Sequence, residues 1–142
     1  MKNTLILSTM IFFFLACSSD DDAGNTLTLE SQMLGTWKYS AVQVNDTDAG
    51  LEEGDCLLEN TITYSANNQL TYEVHNEDAS GDCLQQSFTD AWFIDGENSY
   101  ISVQPGDDVV VLFFVDFINE DTMILSYEEY GDPEISITLV KL

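Results

Sequence analysis

The sequence predicts an all-β domain: an eight-stranded antiparallel up-and-down barrel, led by a short helical turn. Three observations predict it. From Gly35 onward, apolar and aromatic residues recur with a period of two. The runs are split by short stretches with hairpin chemistry. No helix of useful length fits between them, which excludes an α/β fold built on crossover helices. Eight strands joined mostly by short links can close into a barrel.

The elements follow in order. "TLTLESQML" (residues 26–34) has the composition of one helical turn capped by Thr28. "GTWKYSA" alternates Trp37, Tyr39 and Ala41 against Thr36, Lys38 and Ser40. "NTITYS" sets Ile62 and Tyr64 on one face, and "LTYEVH" does so with Leu70, Tyr72 and Val74. "SFTDAWFI" contributes Phe88, Trp92 and Ile94, and "SYISV" is a short fifth run. "VVVLFFVDFI" is apolar on both faces, so Phe113 and Phe114 point opposite ways and one ring needs cover outside the barrel. "TMILSYEE" alternates Met123, Leu125 and Tyr127, and "ISITLVKL" alternates Ile135, Ile137 and Leu139. Turn chemistry marks "ANNQ", "DGEN", "PGDD", "NED" and "GDPE". Only the links at residues 45–59 and 76–83 are long.

The N-terminus carries an address. Lys2 is a basic n-region, residues 5–15 an apolar h-region too short to span a bilayer, and Ala16 a small residue before Cys17. "FLAC" resembles a bacterial lipobox, with Phe14 where leucine is usual. That resemblance implies a signal peptide over residues 1–16, cleavage, and lipidation of Cys17. Diacylglycerol plus an N-acyl chain would meet the need of stable tethering for more than one chain. "CSSDDD" resembles the surface-export signal of Bacteroidetes-type lipoproteins. The implied location is the outer membrane, at the cell surface, with membrane contact through the anchor at Cys17. Residues 17–27 form an acidic tether unable to fold alone. The barrel domain is expected over residues 28–142.

The mature chain would hold Lys38 and Lys141 against 26 acids, a formal charge of −24, with no arginine. Nucleic-acid binding is excluded, because phosphate contacts need cations. Such charge favours a soluble monomer at the cost of self-repulsion. Cys56 and Cys83 remain after tethering, and in an oxidising compartment a disulfide is expected. In the meander both fall at the same end of the barrel. The closed loop of about 28 residues is worth roughly 3–4 kcal/mol in the chain-entropy model. Two cysteines and one histidine, His75, are too few soft ligands for zinc.

Gly35-Thr36-Trp37, opening the first strand after a helical turn, matches the G-x-W of lipocalins. With "NTITYSANNQLTYE" and "AWFIDGENSYISV", the chain resembles the lipocalin-like domains of bacterial surface lipoproteins. The likeness covers about residues 33–142 and lacks the T-D-Y loop motif. It also lacks the arginine that covers the tryptophan, and Lys141 is expected to take that place over Trp37. The resemblance implies an eight-stranded barrel that holds small apolar molecules. The expected inner face carries Tyr39, Tyr64, Tyr72, Phe88, Trp92, Met123 and Tyr127. Of these, Tyr39, Tyr64, Tyr72, Trp92 and Tyr127 are the candidate ligand-binding residues. They are large enough to fill the barrel, so a plugged interior and a ligand pocket both remain open.

Links at the end away from the tether hold 15 of the 26 acids, at residues 45–59, 76–83, 107–108 and 128–134. This open end suits a small apolar or cationic ligand, or a basic partner. Asp46, Asp48, Glu52 and Glu53 have the oxygen density calcium prefers, but Gly50 breaks the EF-hand spacing. No metal and no cofactor is assigned. Glu73 and His75 share an outward face, and neither G-x-S-x-G nor H-E-x-x-H occurs. The expectation is a binding module and not an enzyme. The alternative is a structural or interaction lipoprotein with a side-chain-filled barrel and no internal ligand.

Overall fold

The computed structural model describes residues 27–106, 110–127 and 133–142. The expected signal segment, Cys17 and all of the tether except Leu27 lie outside them, as do Asp107, Asp108, Glu128, Glu129 and Asp132. A five-residue helix, α1 (Leu29–Met33), is followed by β1 (Gly35–Val44), β2 (Thr47–Asp48), β3 (Thr61–Tyr64), β4 (Gln69–Glu77), β5 (Cys83–Ile94), β6 (Ser99–Val103), β7 (Val110–Asn119), β8 (Thr122–Tyr127) and β9 (Ile135–Lys141). One 3₁₀ turn, Cys56–Glu59, precedes β3. The strand order is β2-β1-β3-β4-β5-β6-β7-β8-β9, every pair is antiparallel, and β9 returns to pair with β1. Eight strands therefore close the barrel, and β2 is an additional two-residue flap on the tip of β1.

The period-two pattern fills the interior. Trp37, Ile62, Tyr64, Leu70, Trp92, Tyr100, Met123, Leu125 and Leu139 are almost completely buried. The alternation expected for β1 breaks once. The β1–β9 register shifts between Tyr39 and Ala41, so Val42 is buried where Ala41 was expected to face inward. A bulge inserts one extra residue and flips the parity beyond it. Of the paired phenylalanines in β7, Phe113 turns inward and Phe114 stays 53% exposed.

The largest departure is in β5. The strand starts at Cys83, four residues before the expected "SFTDAWFI". Residues 83–89 are exposed on both faces and carry no apolar alternation, so the period-two signal is missing there. β4 and β5 pair along their whole length, from Gln69↔Ala91 to Glu77↔Cys83, while β6 meets β5 only at Ala91–Ile94. The upper part of this hairpin is thus a two-stranded ribbon rising past its neighbours. Phe88 pairs with inward-facing Tyr72 but is 48% exposed. Its parity is inward, yet it lies above the wall that would cover it, so it is not part of the packed interior.

The ribbon is held on one side. Cys83 is disulfide-bonded to Cys56 of the 3₁₀ turn, with Cα atoms 5.4 Å apart. The nearly buried Asn60 accepts the His75 amide on Oδ1 at 2.6 Å, and its carbonyl accepts the Tyr39 amide at 3.0 Å. Asn60 therefore joins β4 to β1 just where the four-residue β3 gives out.

Candidate functional site: the upper half of the barrel

The barrel interior has two unlike halves. At the end where the chain enters, α1 is capped by Thr28, whose Oγ1 accepts the Ser31 amide at 3.2 Å. Its C-terminal carbonyls, which an isolated helix leaves unpaired, are taken up by the barrel. Trp37 Nε1 donates to the Met33 carbonyl at 2.7 Å, and Lys141 Nζ donates to the Gln32 carbonyl at 3.2 Å. Lys141 Nζ also sits 4.9 Å from the centroid of the Trp37 ring. Gly35 makes this closure possible. Its φ is +119°, and an added Cβ would come within 3.2 Å of Lys141 Cε.

An aromatic cluster fills the same end of the barrel, where Tyr64 pairs with Gly35. Tyr64 meets Trp92 and Tyr100 edge-on, at centroid distances of 5.2 and 5.5 Å, and the two phenols share a 2.8 Å hydrogen bond. Trp92 Nε1 donates to the Ser65 carbonyl at 3.2 Å. Tyr100 stacks on Phe113 at 4.9 Å with planes 7° apart. Tyr64 and Trp92, expected to face a ligand, are instead part of this plug. Both are almost completely buried and their polar atoms already have partners.

The other half is open. A cavity of about 240 Å³ is lined by Tyr39, Ile62, Tyr72, Val111, Phe113, Leu125, Tyr127 and Ile137. It brings together three of the five candidate ligand residues: Tyr39, Tyr72 and Tyr127. Met123 of the expected inner face lies in the plugged half, fully buried. The Tyr39 hydroxyl has no hydrogen-bond partner among the described residues. Burial drives its pKa far above the usual 10, with smaller contributions from the Tyr127 and Tyr72 phenols. Burial likewise pushes Tyr72 up to about 12, against the opposing hydrogen bond to Ser102. Tyr39 and Tyr72 therefore present neutral phenols at physiological pH.

One polar chain borders this space. Tyr72 donates to Ser102 Oγ at 3.3 Å, and Ser102 donates to Asp90 Oδ2 at 2.8 Å. Ser102 is buried, while Asp90 is part-buried on the inward parity of β5 between Phe88 and Trp92. Sequence reading passed over Asp90, Tyr100 and Ser102. The signal was present, since Asp90 shares the parity of Trp92, and Tyr100 and Ser102 share one parity in "SYISV". A carboxylate and a hydroxyl on the inner face of a barrel go against the expectation that inward means apolar.

In the described acidic loops, carboxylates are taken up by neighbouring backbone amides. Asp48 Oδ1 accepts the Gly50 amide at 2.8 Å, and Asp55 Oδ2 accepts the Glu52 amide at 2.8 Å. Asp46 sits in the tight turn before β2, with a φ of +59°. Among the described residues, no three histidine, cysteine, aspartate or glutamate side chains converge. The only ion pair among them joins Lys38 to Glu59 at 2.8 Å, and this contact lowers the Glu59 pKa. Glu73 accepts a 3.3 Å hydrogen bond from Thr61 on the outside of the barrel.

A closed antiparallel meander with a helical turn on the G-x-W tryptophan and a cavity at the opposite mouth define a small up-and-down β-barrel. The family described as a lipocalin-like domain matches residues 33–125, and the chain belongs to that family. A search of curated proteins found no match.

Proposed function

We propose that this chain is a lipid-anchored surface lipoprotein whose barrel takes up a small ligand through its acidic open end. The observation that carries the reading is the cavity lined by Tyr39, Tyr72, Tyr127 and Phe113. Ligand pockets commonly run to roughly 300–1,000 Å³, so a space of about 240 Å³ suits a compact molecule. Aromatic faces attract cations, and desolvation strengthens the effect. An organic cation with an apolar body, or a small apolar molecule able to hydrogen-bond to Tyr39, fits this lining. The long-range field of a chain with formal charge −23 steers a cation toward the protein.

The anchor reading rests on the order Lys2, apolar run, Ala16, Cys17. It places the protein at the outer membrane, on the cell surface, as a monomer. The role is binding and not catalysis. No cofactor, metal or nucleic acid is assigned.

The test is native mass spectrometry of the protein purified from its own host. A retained small molecule is expected, and it should be missing from a Val111→Trp variant that fills the cavity. If wild type and variant both fly as bare polypeptide, the ligand reading fails. Labelled palmitate should enter the wild type and not Cys17→Ala, and label in neither would remove the anchor.

A second reading is a structural or interaction lipoprotein that works only through its exterior. The filled lower half, packed by Trp37, Tyr64, Trp92 and Tyr100, favours it. The same experiment decides between the two.

A further inference from the structure

Among the described residues, the upper part of β5 is an unpaired sheet edge. Residues 83–90 have β4 on one side, and β6 joins only from Ala91. The Trp92 amide donates toward β4, to the Asn68 carbonyl at 3.0 Å. Because amides alternate along an antiparallel strand, the odd-numbered groups of Gln85, Ser87 and Thr89 point away from β4, toward the open side. Such edges are usually blunted by lysine, proline or a bulge. This one has none: "CLQQSFT" (residues 83–89) is uncharged and pairs with β4 in unbroken register. On one face of the ribbon Leu84 and Phe88 stand 54% and 48% exposed, two turns of the pleat apart.

We propose that this edge accepts an extended segment of a basic partner protein, which adds a strand beside β5. In such pairing, backbone hydrogen bonds supply affinity and alternate side chains supply specificity. Apolar residues of the incoming strand cover Leu84 and Phe88. Its other residues are cationic. The edge itself is neutral, but the same ribbon carries Glu73 opposite Ser87, Glu77 opposite Cys83, and Asp78 and Asp82 in its turn. The formal charge of −23 makes a second copy of this chain a poor occupant, since two such surfaces repel. The disulfide at Cys83 pins the far end of the ribbon and presents the edge already extended.

The test titrates the full chain with a capped eight-residue peptide alternating lysine and valine. Comparators are the glutamate–valine counterpart and a lysine–valine peptide N-methylated at alternate residues. Binding is expected to slow exchange of the Gln85, Ser87 and Thr89 amides at least tenfold. N-methylation, or Ser87→Pro in the protein, should weaken it at least tenfold. The proline removes an outward amide and leaves the β4 ladder intact, which circular dichroism checks. Equal binding by the N-methylated peptide would reduce the effect to charge alone and overturn the proposal. So would equal binding by the glutamate peptide, or unchanged exchange at the three amides. Sedimentation as a dimer with those amides already protected would assign the edge to a second copy, and the basic partner would fall.

Discussion

Two buried and two part-buried tyrosines should make this barrel unusually sensitive to alkali. Tyr39, Tyr64, Tyr72 and Tyr100 all have phenols raised above the usual 10, with burial as the largest cause in each case. In the unfolded chain these groups ionise near pH 10. The unfolded state then binds fewer protons than the folded one, so stability falls as pH rises. The contribution is intact below pH 10 and is lost progressively above it. For Tyr72 the loss levels off near its folded value of about 12. A phenol that stays protonated in the folded state costs on the order of 1–3 kcal/mol between pH 11 and pH 12. Together the four cost several kcal/mol by pH 12. A domain with ~5–15 kcal/mol of stability should therefore unfold in this window. The assay follows phenolate absorbance and far-ultraviolet circular dichroism together in a pH jump series. Most of the phenolate signal should appear with the loss of β structure, in one cooperative step. If all six tyrosines titrate smoothly near pH 10 while the barrel keeps its circular dichroism, the burial argument is wrong.

Other outcomes follow from the two ends of the barrel. Replacing Cys56 and Cys83 together by serine opens a loop with 27-residue separation and should cost roughly 3–4 kcal/mol in urea unfolding. In that variant the amides around residues 78–86 should exchange faster than those of β8 and β9. Lys141→Met keeps the aliphatic stem and removes the cation above Trp37, so a loss of about 0.5–2 kcal/mol is expected. Gly35→Ala should destabilise by about 1–3 kcal/mol, because alanine is strained at φ +119° and its Cβ crowds the Lys141 stem. An unchanged midpoint would show that this glycine is not needed for the closure.

What the sequence made legible tracks how well each segment is half-buried. β8 and β9 lie with one face on the core and one in water, and their alternation reads cleanly from Met123 to Leu139. The helical turn and its Thr28 cap are equally plain. The Cys56–Cys83 pair could be placed at one end from topology alone, without geometry. The upper part of β5 was illegible because neither of its faces is covered, so no period is imposed on "CLQQ". The bulge at Ser40 was illegible for a different reason, because Ala41 and Val42 are both acceptable inward residues. The tyrosines could be assigned to the interior by parity, but parity cannot give height along the axis. Height decides that Tyr64 plugs the barrel while Tyr39, Tyr72 and Tyr127 border space.

The division of the interior also has an energetic consequence. Lys141 makes its contacts with Gln32, Trp37 and Gly35, all at the chain-entry end. The disulfide joins the 3₁₀ turn to the ribbon at the opposite end. The two share no partner and lie at opposite ends of the barrel. Losses from Lys141→Met and from removal of the disulfide should therefore add within about 0.5 kcal/mol. Tyr64→Phe and Tyr100→Phe present the opposite case. Each phenol is the hydrogen-bond partner of the other, so either single change strands a buried hydroxyl and the double change strands none. The double variant should be less destabilised than the sum of the singles by about 1 kcal/mol or more. A strong coupling between Lys141 and the disulfide, or additive behaviour of the two phenols, would mean that the barrel does not divide into a sealed half and an open half.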